Sequence, residues 1–194
     1  MINAHDCPKT GEVHFLLGNE PCGFCGEVFG SSKPKNVRLS FEEYGCLIAL
    51  TAKSRAEDFH TKIGGVALSS SGRVLGAAYN GLKSGKSVPE WMNKQENRKK
   101  KGDFFIHCES NLCSQLKRDE CHTICLTQSP CIKCCQNIAA LNIKKVVYLQ
   151  EYKKCDGFKD FFSFHEIEYK ELSQESKNRI KDYLANTNNF FELD

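Results

Sequence analysis

His107-Cys108-Glu109 and, further along, Pro130-Cys131-Ile132-Lys133-Cys134 are the residues of this sequence best equipped to do chemistry. One imidazole and two thiolates fill three corners of a zinc tetrahedron and leave the fourth for water, as a catalytic zinc requires. The Cys-x-x-Cys pair opens a predicted helix, so both thiols lie within one turn and can share a metal, and the positive helix N-terminus favours their thiolate forms. Glu109, close behind His107 near another helix start, can point into the same cavity without ligating. A carboxylate there can take a proton from zinc-bound water and pass it on, while zinc lowers the pKa of that water from ~16 towards ~7. The alternative is a closed site completed by Cys135 or Cys113. Cys135, however, directly follows Cys134 and would point away round the helix.

A second set of ligand types sits near the N-terminus. Pro21-Cys22-Gly23-Phe24-Cys25-Gly26 reads as a zinc knuckle, whose glycines let backbone N–H groups turn towards thiolates. A weak internal echo, Cys7-Pro8-Lys9-Thr10-Gly11-Glu12-Val13-His14, parallels it with Thr10 where the second cysteine would be. Cys7, His14, Cys22 and Cys25 are therefore the expected ligands of a structural zinc, with His5 competing for the place of His14. The spacing does not fit a DNA-reading Cys2His2 finger, which carries its two histidines on a helix. A stapled flap or an oligomer contact is the expected use; free cysteines are the alternative.

The elements that must position the main site follow from periodicity. Residues 1–36 form the knuckle-like appendage and end in the polar linker Gly30-Ser31-Ser32-Lys33-Pro34-Lys35-Asn36. Ser40 with Glu43 makes a capping box, and Phe41, Tyr44, Leu47 and Ile48 give the helix behind it one apolar face. Residues 63–68 and 73–80 read as a hairpin around the turn Ser70-Ser71-Gly72. Residues 81–102 read as loop with a short helical piece. Helices are expected at 107–117, 131–141 and 175–184, and strands at 122–126, 145–150 and near Ile167. Helices alternating with strands predict an α/β sandwich with helices on both faces of a central sheet. The expected domain spans residues 37–186, with a tail at 187–194.

Composition narrows the class. With 40% hydrophobic and 26% charged residues the chain is an ordinary globular one, and no apolar run approaches the ~20 residues that span a bilayer. The first residues lack the basic and apolar blocks of a signal peptide, which predicts an intracellular, cytoplasmic setting, with the nucleus also open. Twelve cysteines in such a chain favour thiolate–metal chemistry over a disulfide framework. Cys108, Cys113, Cys121, Cys125 and Cys155 read as small buried apolar residues. A net charge of +3 does not announce a nucleic-acid partner. The basic run Arg98-Lys99-Lys100-Lys101 could touch phosphate, but it reads more simply as a solvated loop.

His107-Cys108-Glu109 with Pro130-Cys131-Ile132-Lys133-Cys134 resembles the metal motif of the zinc-dependent cytidine and deoxycytidylate deaminase superfamily, from about residue 40 to 155. The resemblance implies a three-layer α/β/α sandwich with a mixed five-stranded sheet, both motif helices starting at the same end. Three segments are similar to the deoxycytidylate branch in particular. Ala78-Tyr79-Asn80-Gly81 resembles its G-Y-N-G, Pro89-Glu90-Trp91 with Glu96-Asn97-Arg98-Lys99 resembles the run into the metal helix, and His107-Cys108-Glu109-Ser110-Asn111 resembles H-A-E-x-N-A with Cys108 for alanine.

The implied activity is hydrolytic deamination of dCMP to dUMP and ammonia by zinc-bound hydroxide and a Glu109 proton shuttle, in pyrimidine salvage and dTMP supply. Asn80 would hold the sugar, and the backbone at Cys108 and Ser129 the pyrimidine edge. Lys53-Ser54-Arg55 stands where the branch has R-S-K-D-P, making Ser54 and Arg55 candidate phosphate contacts, although the Asp-Pro is missing and a helix C-terminus repels anions. The Cys-Asp-Asp-like segment of members regulated by dCTP and dTTP has no counterpart in Leu82-Lys83-Ser84-Gly85-Lys86-Ser87-Val88, so neither that control nor its hexamer is carried over. The family suggests a homodimer or larger homo-oligomer. Alternative substrates are dCTP, cytidine or single-stranded nucleic acid. Ser129-Pro130-Cys131 resembles the S-P-C of APOBEC-type editors, but those need an aromatic-lined basic groove. A non-catalytic zinc scaffold is the third reading, and an intact Glu109 speaks against it.

Overall fold

A computed structural model describes residues 2–6, 9–10, 13–17, 38–152 and 157–185. Contacts divide the chain into two units, Met1–Arg38 and Leu39–Asp194. In the first unit, β1 (Ile2–Asp6) and β2 (Val13–Leu17) form an antiparallel hairpin whose register sets His5 opposite His14. This hairpin departs from the knuckle-like appendage without strands that the sequence pattern suggests. Of the expected ligands, Cys7, Cys22 and Cys25 lie outside the described residues, as do the tail at 187–194 and Cys155.

The second unit is built on a mixed five-stranded sheet. Its strands are β3 (Gly64–Leu68), β4 (Val74–Tyr79), β5 (Thr123–Leu126), β6 (Lys145–Tyr148) and β7 (Glu168–Glu171), in the order β4-β3-β5-β6-β7. β3 runs antiparallel to β4 and β5, whereas β5, β6 and β7 are mutually parallel. Among the described residues six α-helices accompany it: α1 (Phe41–Lys53), α2 (Arg98–Lys101), α3 (Cys108–Cys113), α4 (Ile132–Ala140), α5 (Phe158–Phe164) and α6 (Gln174–Ala185). Parallel neighbours need crossover connections, and α4 and α5 supply them.

Side chains of the inner strands alternate between two cores, as a two-residue repeat demands. Ala67, Ile124, Leu126, Val146 and Tyr148 pack with Leu112 of α3, Ile138 of α4, and Phe158 and Phe162 of α5. Val66, Leu68, Cys125 and Val147 pack on the other face with Cys46 and Ala49 of α1 and Ile180 of α6. The result is the α/β/α sandwich expected.

The Ser40–Glu43 capping box forms as read, with the Glu43 N–H donating to Ser40 Oγ at 3.2 Å and the Ser40 N–H to Glu43 Oε2 at 2.8 Å. Glu43 is only 2% exposed and also meets the Arg179 guanidinium, which ties α6 to α1. Burial alone would raise its carboxyl, but the Ser40 N–H, the Ser176 hydroxyl and Arg179 outweigh that and hold it below its usual range. The helix expected at 107–117 is shorter, ending at Cys113. α5 was not expected. It buries Phe158 and Phe162, one helical turn apart, against Tyr148 and Tyr169.

α1 sits so close to β3 that a Cβ on Gly64 would fall on the Ala49 carbonyl oxygen and the Lys53 backbone. Backbone cannot rotate away as a side-chain tip can. Gly64→Ala should therefore lower the unfolding free energy by about 3 kcal/mol or more, read from the urea midpoint.

Glu43 yields a second expectation. Its folded pKa is depressed, so its stabilisation is complete above the unfolded value near ~4.3 and is lost as the pH falls through the folded one. Glu43→Gln should reduce stability at neutral pH and show a shallower loss between neutral and acid pH than the native chain, measured by urea unfolding across that range.

Candidate active site

Both motif segments place their first ligand at a helix N-cap. His107 precedes α3 and Cys131 precedes α4, each in extended backbone and neither capping its helix with its side chain. The ring and thiol are thus free to turn towards each other. Cys134 follows in the first turn of α4. His107 Nδ1 lies 3.5 Å from Cys131 Sγ and 3.4 Å from Cys134 Sγ, and the two sulfurs are 3.5 Å apart. A tetrahedral ion with ordinary Zn–N and Zn–S bonds has edges of about 3.6–3.8 Å, so this donor set fits zinc with little adjustment. Among the described residues, His107, Cys131 and Cys134 are the group able to share a metal. Cys135 instead packs in the apolar core beside Ile138, away from that cluster.

Electrostatics prepare the donors. The close contact between the two sulfurs, with His107 beside them, pushes the Cys131 thiol down to about 4. The same contact, together with burial, pushes Cys134 up. The thiolate at Cys131 in turn raises the His107 ring above its ordinary value. Glu109 is 5% exposed, and burial pushes its carboxyl up. It interacts with the Cys134 thiol, which sets the acid beside the ligand cluster.

His107, Glu109 and Cys131 face a cavity of about 620 Å³, the size of a small-molecule site. His107, Cys108, Glu109, Ser129, Cys131 and Asn80 all line it. Asn80 is buried and braces the wall: its Oδ1 accepts from the Ile63 N–H and its Nδ2 donates to the Thr61 carbonyl, both at 2.7 Å. Ser129 Oγ accepts from the Tyr152 N–H at 2.8 Å. Cys108 is the first residue of α3, where N–H groups have no partner within the helix, and its thiol donates to the Ala78 carbonyl at 3.2 Å. Asn111 Nδ2 donates to the Tyr79 carbonyl at 2.9 Å, pinning α3 to β4.

Ser54 and Arg55 are placed elsewhere. Both are exposed and neither lines the cavity: Ser54 Oγ donates to the Thr51 carbonyl, while the Arg55 guanidinium lies 5.9 Å from the centre of the Tyr79 ring. The basic run is the converse case. Arg98 and Lys99 line the cavity, and Lys101 is buried against Asp58. Asp58, whose partner lies far along the chain, carries no signal in the sequence, and neither do Thr61, Gln128 and Tyr152 on the cavity wall.

Comparison with known proteins gives this geometry a family. The family model for the cytidine and deoxycytidylate deaminase zinc-binding region matches residues 39–150. Deoxycytidylate deaminase of Homo sapiens is 25% identical over 126 residues, which is 62% of this chain and 71% of the human one. Probable deoxycytidylate deaminase of Caenorhabditis elegans is 28% identical over 107 residues, covering 53% of this chain and 54% of the other. The dCMP deaminase of cyanophage S-TIM5 in apo form has the same fold, with TM-score 0.56 at 22% identity over 70% of this chain and 100% of the phage chain. Its complex with dCMP and dUMP gives TM-score 0.52, also at 22% identity, over 68% of this chain and 93% of that one. No helix among the described residues is long and apolar enough to cross a membrane. The chain belongs to the zinc-binding cytidine and deoxycytidylate deaminase family.

Proposed function

We propose that the protein hydrolyses dCMP to dUMP and ammonia, supplying dTMP synthesis from salvaged pyrimidine. The observation that carries this reading is the His107–Cys131–Cys134 cluster with Glu109 beside it, on one cavity of nucleotide size. The deoxycytidylate deaminases among its relatives supply the substrate class.

His107, Cys131 and Cys134 would hold the catalytic zinc, which when bound acts as a Lewis acid and makes water nucleophilic at neutral pH. Glu109 takes a proton from the attacking water and places it on the ring nitrogen next to C4. A new C4–O bond forms. Glu109 then carries the hydroxyl proton to the amine, the C4–N bond breaks and ammonia leaves, so that water and cytosine become uracil and ammonia. The Cys108 N–H and the main chain at Ser129 would hold the pyrimidine edge, and Asn80, with one N–H uncommitted to Thr61, the sugar.

Ammonia release from cytidine, deoxycytidine, dCMP, dCTP and a cytosine-containing oligonucleotide tests the reading. Release should be greatest with dCMP, and Glu109→Gln should reduce it by about 10³-fold or more. Release from the oligonucleotide alone would sink the proposal. Silence with every substrate would leave a zinc scaffold.

A second, structural zinc on Cys7, His14, Cys22 and Cys25, with His5 as competitor, is part of the same proposal. The register that sets His5 opposite His14 brings both candidate histidines to one rung of the hairpin. Metal analysis should find two zinc ions per chain, and Cys22→Ser/Cys25→Ser should leave one. A single zinc in the native chain would remove the stapled appendage.

A further inference from the structure

We infer that Arg98 and Lys99 form the phosphate-recognising wall of this cavity and set its preference for a nucleoside carrying a terminal 5′-phosphate. The inference rests on the nucleotide reading above and deepens it.

The wall is made by α2, one turn of helix in the segment between β4 and α3. Its four residues are Arg98, Lys99, Lys100 and Lys101, and they have different fates. Lys100 stacks over the Trp91 ring, 5.2 Å from its centre. Lys101 is 4% exposed, and its ammonium is paired with Asp58. Asp58 Oδ1 also accepts the His60 N–H at 2.7 Å and the Thr61 N–H at 3.1 Å. Burial alone would raise the Asp58 carboxyl, but Lys101 and the two N–H groups hold it below its usual range. The Asp58–Lys101 pair is thus spent internally. It nails α2 to the loop that Asn80 braces from the other side.

Arg98 and Lys99 are what that anchor presents. Both line the cavity, both are exposed, and neither makes an ion pair among the described residues. Glu96 also lines the cavity, so the unpaired charge on this wall is two cations against one carboxylate. Glu109 and the ligand cluster take the reacting end of the substrate, which leaves the wall for its other end. Guanidinium and ammonium groups suit a phosphate dianion, the first by forked hydrogen bonds and the second as a point charge. A wall already fixed by a buried ion pair loses little freedom on binding. Phosphate can belong to a free nucleotide or to a polynucleotide backbone. A cavity of about 620 Å³, the size of a small-molecule site, suits a free nucleotide and its terminal phosphate better than a polynucleotide backbone.

Titration of the zinc-loaded full chain with dUMP, with deoxyuridine and with a deoxyuridine-containing oligonucleotide tests this without turnover. The native chain should bind dUMP about tenfold to a hundredfold tighter than deoxyuridine, as charge-assisted contacts to phosphate imply. Arg98→Ala/Lys99→Ala should bring that ratio close to one. Arg98→Lys/Lys99→Arg, which keeps both charges, should retain most of it, a rescue that a merely structural role would not give. The inference is overturned if the native ratio is near one, if the alanine variant keeps the native ratio, or if the oligonucleotide binds tighter than dUMP. A native chain that shows the dUMP preference yet never deaminates dCMP would defeat the catalytic reading and leave this one standing.

Discussion

Everything at this site depends on two helix N-termini being brought to one point. α3 and α4 pack side by side on one face of the sheet and begin at His107 and Cys131. A residue at an N-cap normally turns its side chain back to satisfy the orphan N–H groups of its helix. His107 and Cys131 do not, and each lends its side chain to the other helix's neighbour instead. The helices forgo that stabilisation, and the unsatisfied N–H groups and aligned dipoles leave partial positive charge beside the sulfurs. That charge favours thiolate over thiol, so the geometry that assembles the ligands also prepares them to bind metal.

The cavity wall facing these helices is held by polar groups that burial would otherwise penalise. Asp58 and Lys101 are 6% and 4% exposed, so removing either would strand a charge away from water. Asn80 and Thr127 act alike with neutral groups: Asn80 ties the 61–63 backbone from both sides, and Thr127 Oγ1 accepts the Gly64 N–H at 3.1 Å. Such a network is costly to leave half made, which favours one arrangement of the wall over its neighbours. The loop on this side of the cavity gains rigidity in this way without help from regular secondary structure.

The ligand set was legible because its signal is local. Cys-x-x-Cys on a helix start needs only the helical repeat to bring its thiols together, and His107 lies two residues before Glu109 at another helix start, in extended backbone just outside it. The inner strands could be read because their residues are apolar on both faces, and α1 because Ser40 and Glu43 announce it. What stayed hidden is what distance in sequence conceals. Lys101 read as part of a solvated run since its partner, Asp58, lies 43 positions earlier. Arg98 and Lys99 belong to the same run and differ from Lys100 only by the direction in which the anchored turn points them. α5 escaped notice because Phe158, Phe161, Phe162 and Phe164 crowd one short segment, and only the packing tells which of them are inward. Phe158 and Phe162 are fully buried, while Phe164 is 82% exposed.

One departure from the family's motif shows how the fold absorbs change. Cys108 stands where the resemblance has alanine, and its side chain is wholly buried between α3 and the sheet. Extra volume in a packed core normally forces neighbours apart. Here the opposing position on β3 is Gly65, where an added Cβ would lie 3.0 Å from Cys108 Sγ and 2.8 Å from Leu126 Cδ2. The space an alanine would leave to a larger strand residue is therefore taken from the helix side. Burial, with Glu109 and Cys113 nearby, pushes the Cys108 thiol far up, so it remains neutral and donates to the Ala78 carbonyl. A thiol kept protonated offers no thiolate to compete with Cys131 and Cys134. Its main chain is placed by the helix start and not by the side chain, since Cys108 is the first residue of α3.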